Sequence, residues 1–211
     1  MKFKNLQANY RERVVFTGVT GQLEPHQITM LLGQNGAGKS TLMTILGRLK
    51  KAQGQLECPE STLYLPQKNQ LFDYLKVNDL LQLATTVTSA TVNRIEQTLE
   101  LADLLPRDFL HLSSGQQQRV WLAYALLQDK DVILLDEPLT FLDLKYQQRL
   151  LKLLVELKQE EQRTFLLSIH DPQLAREYGD VIWLLDQKGL TTGQPEQLLT
   201  EQKVKEFFEL Q

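Results

Sequence analysis

The run Gly33-Gln34-Asn35-Gly36-Ala37-Gly38-Lys39-Ser40-Thr41 constrains this chain more than any other stretch. It follows the short apolar run Ile28-Thr29-Met30-Leu31-Leu32 and precedes Leu42-Met43-Thr44-Ile45-Leu46. The first run predicts a buried strand and the second a helix start. Strand, glycine-rich loop and helix is the context in which a G-x-x-x-x-G-K-[ST] pattern carries physical meaning. Glycines let the backbone curl so that several N–H groups point at phosphate oxygens, and the helix N-terminus adds its dipole. Lys39 can then reach the β- and γ-phosphates, and the Ser40 hydroxyl can ligate Mg²⁺. The stretch predicts a nucleoside triphosphate site.

Phosphate binding alone hydrolyses nothing. A carboxylate near the metal and a group that orients water are also required. Val132-Ile133-Leu134-Leu135 reads as a buried strand, and it ends in Asp136-Glu137-Pro138. Asp136 would anchor the metal shell through water, and Glu137 would polarise the attacking water. Taken alone, such a pair is in the minority of cases a cap for the next helix; the phosphate loop upstream further favours the first reading. Gln67 and His170 each follow a strand end, the edge where open α/β sheets bind ligands. A lone histidine is more often structural, so the position of His170 is suggestive and no more.

The rest of the chain bounds the setting. At 211 residues it suits one domain, or one domain with a subdomain. A net charge of −3 gives no electrostatic reason to expect nucleic acid or an anionic membrane surface. Cys58 is the single cysteine, which excludes a disulfide framework and a cysteine metal site and fits a reduced, cytosolic compartment. No run approaches the ~20 apolar residues of a membrane span, and the N-terminus lacks a signal-peptide core. A role at a membrane would be that of a peripheral subunit.

In chain order, residues 3–7 and 14–17 predict a hairpin or a pair of strands, and 55–57 and 62–65 two short strands. Residues 77–84 and 92–105 carry apolar residues at three- and four-residue spacing and predict helices. A further helix opens at Ser113 or Ser114, either of which suits an N-cap, and runs to about 128. Helices over 145–160 and 172–178 alternate with strands over 164–169 and 181–185, and small helices close the chain over 195–210. Strands alternating with helices predict an α/β fold with a mostly parallel sheet covered on both faces.

These motifs, in this order, resemble the nucleotide-binding subunit of an ATP-binding cassette (ABC) transporter over residues 10–195. The resemblance implies a P-loop NTPase core, a small antiparallel β subdomain and an inserted helical subdomain at about 68–128, within a single domain spanning 1–211. It implies ATP and Mg²⁺ as cofactors. Tyr10 matches the aromatic residue that stacks on adenine. Gly33, Asn35, Gly36, Gly38, Lys39, Ser40 and Thr41 belong to the Walker A loop, and Val132 to Asp136 to Walker B. Glu137 matches the catalytic glutamate, His170 the switch histidine, and Gln67 the glutamine that meets Mg²⁺ and water. Ser40, Gln67 and Asp136 are then the implied metal residues. Ser113, Gly115 and Gln116 match the signature motif, a second anion site at a helix N-terminus. In the family that site closes over ATP held by another subunit, implying a head-to-tail dimer with two ATPs between protomers. Ser114, Leu139 and Phe141 depart from the usual glycine, threonine and small residue at their positions.

The resemblance also implies integral membrane permease subunits, indirectly a substrate-binding protein, and a place on the cytoplasmic face of the membrane. Leu71, Phe72, Tyr74 and Leu75 fall where the family docks its membrane subunit. Phe141-Leu142-Asp143-Leu144, Ser168-Ile169-His170-Asp171-Pro172 and Gly193-Gln194-Pro195 are similar to the branch that imports iron–siderophore, haem and cobalamin. Tyr64-Leu65-Pro66-Gln67-Lys68 through Asn78 resembles the zinc and manganese importers. Import of a metal ion or metal chelate is therefore the expected task. An exporter, a biogenesis ATPase and a soluble non-transport ABC ATPase remain open at this point.

Overall fold

The computed structural model of the protein describes residues 1–10, 13–68, 75–186 and 188–208; the side chains of Tyr10 and Arg13 lie outside the described residues. The chain opens with β1 (Lys2–Tyr10), β2 (Arg13–Gln22), β3 (Ile28–Leu32), α1 (Lys39–Leu46), β4 (Gln53–Glu57) and β5 (Thr62–Leu65). Three α-helices follow, α2 (Val77–Ala84), α3 (Ser89–Thr98) and α4 (Ser114–Leu126), with a 3-10 turn at Phe109–His111 before α4. Then come β6 (Val132–Asp136), α5 (Leu144–Glu161), β7 (Thr164–Ser168), α6 (Pro172–Tyr178) and β8 (Val181–Asp186). The described chain closes with β9 (Gly189–Gly193), α7 (Pro195–Leu198) and α8 (Glu201–Phe208).

Two sheets result. The smaller is antiparallel, in the order β2-β1-β4; the larger runs β5-β6-β7-β3-β8-β9 and is parallel except for β9. β3, β6 and β7 are buried at every residue, as their unbroken apolar runs require of strands covered on both faces. Side chains alternate across β3. Ile28, Met30 and Leu32 join the core under α4 and α5, while Leu31 joins the core shared with α1 and the small sheet. Phe3 of β1 meets Trp183 of β8 edge-to-face, ring centroids 5.5 Å apart, which fastens the small sheet to the large one. The helices between β5 and β6 bury Val77, Leu80, Ile95 and Val120 in the same core as β3 and α5. No described helix is long and apolar enough to cross a membrane.

Parallel register matters most for function. Leu65 pairs with Leu135, Asp136 with Ser168, and Ser168 with Leu31. The C-terminal ends of β5, β6, β7 and β3 therefore line up on one edge. Gln67, Glu137, His170 and Gly33 all emerge there.

The structure departs from the sequence expectations at two places. The helix predicted over 92–105 stops at Thr98. Glu100 takes φ 49°, and its N–H bonds the Gln97 carbonyl while that of Leu101 bonds Glu96. This is a Schellman ending with glutamate at the position where glycine is usual. The second departure is β9, an edge strand whose sequence Gly-Leu-Thr-Thr-Gly lacks the apolar alternation that marks a strand.

Candidate active site

The loop between β3 and α1 is shaped by its glycines. Gly36 and Gly38 stand at φ 81° and 100°, where a side chain is disfavoured. At Gly38 a Cβ would also come within 2.7 Å of Val15 Cγ1. Gly38 caps α1 without any side-chain hydrogen bond to its first turn, so the N–H groups there are available to an anion. Lys39 is buried, and its Nζ turns back to donate to the Gly33 and Gln34 carbonyls at 2.8 and 3.4 Å. Burial pulls its pKa down, and Glu137 and Asp136 push it partly back, which places both carboxylates within electrostatic reach of the ammonium. Asn35, Gly36 and Ser40 are exposed and Thr41 half-buried. Gln34 donates its side-chain amide to the Phe207 carbonyl of α8 at 3.2 Å.

Across the edge stands Glu137, also at positive φ, 49°. Gln67 Nε2 donates to Glu137 Oε2 at 2.5 Å, His170 Nε2 lies 2.8 Å from Oε1, and the Thr140 hydroxyl reaches Oε2 at 3.4 Å. Asp136 is more deeply enclosed, at 3% exposure. Its Oδ1 accepts from Ser168 Oγ at 2.6 Å and its Oδ2 from the Tyr64 hydroxyl at 3.1 Å. Gln67, Asp136, Glu137 and His170, at or just past strand ends, and Lys39, the first residue of α1, thus lie at one edge of the sheet. Ser168, Tyr64 and Thr140 join them without having been singled out. Ser168 and Tyr64 could have been found only from the sheet register, because their partners lie 32 and 72 residues away in sequence.

Ser113, Gly115 and Gln116 lie elsewhere, at the start of α4. Ser113 Oγ accepts from the Gln116 N–H at 3.3 Å, and Gln116 Oε1 accepts from the Ser113 N–H at 3.0 Å, a capping box. Gly115 abuts the turn after Glu137 so closely that a Cβ would stand 2.7 Å from the Phe141 carbonyl oxygen. The side chain of Tyr10 and the residues Leu71, Phe72 and Tyr74 lie outside the described residues. Leu75 is half-buried, and its carbonyl accepts from the Phe109 N–H at 3.0 Å.

The donor set suits Mg²⁺. The Ser40 hydroxyl, the Asp136 carboxylate and the Gln67 carbonyl are hard oxygens, and Gln67 spends its amide N–H on Glu137, which leaves Oε1 for the ion. Mg²⁺ takes one or two carboxylates together with substrate phosphate and water, so a site with a single acidic ligand fits it. A phosphate cradle, oxygen ligands and a carboxylate held beside them are the parts that phosphoanhydride hydrolysis needs.

Comparison with known proteins identifies the family. Residues 16–140 match the ABC transporter family. The petrobactin import ATP-binding protein FpuD of Bacillus anthracis is 31% identical, the match covering 100% of this chain and 87% of the relative. The manganese transport system ATP-binding protein MntB of Listeria monocytogenes is 30% identical, covering 97% of this chain and 94% of its own. Among solved structures, a metal-chelate type ABC transporter in an inward-facing conformation superposes with a TM-score of 0.84 at 30% identity, covering 99% of this chain and 88% of that one.

Proposed function

The chain belongs to the ABC transporter family, as an ATP-hydrolysing subunit that drives transport, and we propose that its cargo is a metal ion or metal chelate brought into the cell. The observation that carries the hydrolytic part is the meeting of Gln67, Glu137 and His170 beside the phosphate loop. The cargo class rests on similarity, over 97–100% of this chain, to petrobactin and manganese transport subunits.

In this reading Tyr10 stacks on adenine, and the loop from Gly33 through Asn35, Gly36, Gly38 and Lys39 to Thr41 cradles the phosphates. Lys39 exchanges its carbonyl partners, Gly33 and Gln34, for β- and γ-phosphate oxygens; those carbonyls hold the ammonium in place beforehand. Ser40, Gln67 and Asp136 would hold Mg²⁺, which when bound neutralises charge developing on the β- and γ-oxygens. Glu137 orients the attacking water and accepts its proton. Gln67 and His170 hold the carboxylate until a γ-phosphate competes for them. Ser113, Gly115 and Gln116 present the α4 N-terminus to the ATP of a second copy in a head-to-tail dimer. Because Gly115 rests on the Phe141 carbonyl, closure of that dimer bears directly on the turn carrying Glu137.

The whole chain, 1–211, acts as one ATPase domain in which 68–128 forms a helical subdomain facing integral membrane permease subunits. Those subunits place the protein on the cytoplasmic face of the membrane and connect it indirectly with a substrate-binding protein. The test is to tag the protein in its host, solubilise membranes gently and identify what co-purifies. A multi-span permease with a metal- or chelate-binding protein is the expected result. Recovery in a soluble complex without any membrane protein would overturn the importer reading and leave the ATPase standing.

A further inference from the structure

Asp136 is held from both sides. Both carboxylate oxygens are engaged by neutral hydroxyls from two other strands, Ser168 of β7 and Tyr64 of β5. Ser168 is fully buried, and the same oxygen that donates to Asp136 accepts the Glu137 N–H at 2.8 Å. One hydroxyl thus ties the Asp136 side chain to the backbone of the next residue, the one at φ 49°. On the other side Tyr64 packs against Gly47 at the end of α1, where a Cβ would come within 2.7 Å of Tyr64 Cβ. Its phenol oxygen lies 3.4 Å from Thr44 Oγ1, which donates to the Ser40 carbonyl at 2.5 Å. A continuous path of contacts runs from Ser40 through Thr44 and Tyr64 to Asp136, and onward through Ser168 to Glu137.

Resting on the ATPase reading above, we propose that Tyr64 and Ser168 are positioning residues: both fix the orientation of the Asp136 carboxylate, and Ser168 also fixes the turn that carries Glu137. Neutral donors suit this task. They pin the carboxylate's rotation yet leave its charge for Lys39 and a metal ion, where a bonded cation would neutralise it. A phenol is protonated at neutral pH, so Tyr64 remains a donor. The two residues differ in reach. Among the described residues Tyr64 hydrogen-bonds Asp136 alone of the carboxylates, whereas Ser168 bonds both Asp136 and the Glu137 backbone.

That asymmetry defines the test, run on the intact chain as Tyr64→Phe and Ser168→Ala. Hydrolysis is titrated with Mg²⁺ at fixed ATP, and a fluorescent ATP analogue is bound in EDTA and in Mg²⁺. Both variants should need about tenfold more Mg²⁺ for half-maximal rate, the range typical when a partner of a metal-ligating carboxylate is removed. Both should bind the analogue normally in EDTA and lose part of the affinity gained with Mg²⁺. Only Ser168→Ala should keep a lowered kcat at saturating Mg²⁺. A wild-type Mg²⁺ profile in Tyr64→Phe, or equal losses with and without Mg²⁺, would overturn the proposal. Tyr64→Phe removes one oxygen from a half-buried ring and decides the matter even if Ser168→Ala does not fold. Failure of the unsubstituted protein to hydrolyse ATP would instead sink the ATPase reading, so the two failures are distinguishable.

Discussion

Glu137 and Glu100 share a backbone conformation, φ 49°, that non-glycine residues seldom take. Each follows a regular element, β6 or α3, and each carboxylate gathers three side chains. Glu137 gathers Gln67, His170 and Thr140. Glu100 gathers Lys145, Tyr146 and Arg149. The difference lies in the partners. Glu137 is held by an amide, an imidazole and a hydroxyl, none of them a permanent cation. Two permanent cations hold Glu100, and Lys145 first, then Tyr146 and Arg149, bring its carboxyl down to about 2. Left-handed backbone at such a residue costs about 1–3 kcal/mol and persists only where surrounding structure compels it. At Glu100 charge pairing and a helix ending compel it. At Glu137 the compelling contacts are ones a substrate can displace, which is what a working carboxylate requires.

Substitution should separate the two sharply. Glu137→Gln keeps the size and removes the base. Phosphate release should fall by about 10²–10⁴, the usual worth of a general base, while ATP binding persists. Rates equal to the intact protein would remove Glu137 from the mechanism and, with it, the contrast. Lys39→Ala should come next, lowering turnover by about 10²–10³ as a charge-stabilising donor is lost. Unlike Glu137→Gln it should also weaken ATP binding, measurable by equilibrium titration; near-normal hydrolysis would refute its assigned role.

The edge around Glu137 was largely legible in the sequence, and the knot around Glu100 was not. Gly33–Thr41 announces itself because one backbone shape needs glycines at fixed offsets. Gln67, Asp136, Glu137 and His170 each end an apolar run, and parallel pairing brings such ends to one edge. The capping box at Ser113 and Gln116 is likewise local. Glu100 carries no such mark. Its helix ending lacks the glycine that would signal it, and its partners come from α5, 45 to 49 residues away. Ser168 and Tyr64 were missed for the same reason: their value appears only once β5, β6 and β7 are in register. β9 escaped because an edge strand needs no apolar alternation when β8 supplies its ladder.

On the Glu100 side the effects should appear in stability. Arg119 is buried and donates to the Leu99 and Glu100 carbonyls at 2.9 and 3.2 Å and to the Tyr146 hydroxyl at 2.9 Å. It also covers the Tyr146 ring, 4.3 Å from its centroid. Arg119→Met keeps much of the stem and strands those acceptors, so unfolding free energy should drop by about 2–3 kcal/mol in denaturant titrations. No change would mean that the helix ending does not depend on this knot.

The smallest effect is the most diagnostic of what holds Glu100. Because its folded value of about 2 lies below the ordinary 4.5, protonation is harder in the folded chain than in the unfolded one. Its contribution is therefore whole above pH 4.5 and is lost as pH falls toward 2. Glu100→Gln, which cannot titrate, should be less stable than the intact protein at neutral pH, and the gap should close through that acid window. The Glu100 side chain is 41% exposed, so added salt should narrow the same gap at neutral pH by screening Lys145 and Arg149. A gap insensitive to both acid and salt would mean that packing around the left-handed turn, not charge, sustains it. Glu100 would then be held by geometry alone, and its difference from Glu137 would be one of place rather than of partners.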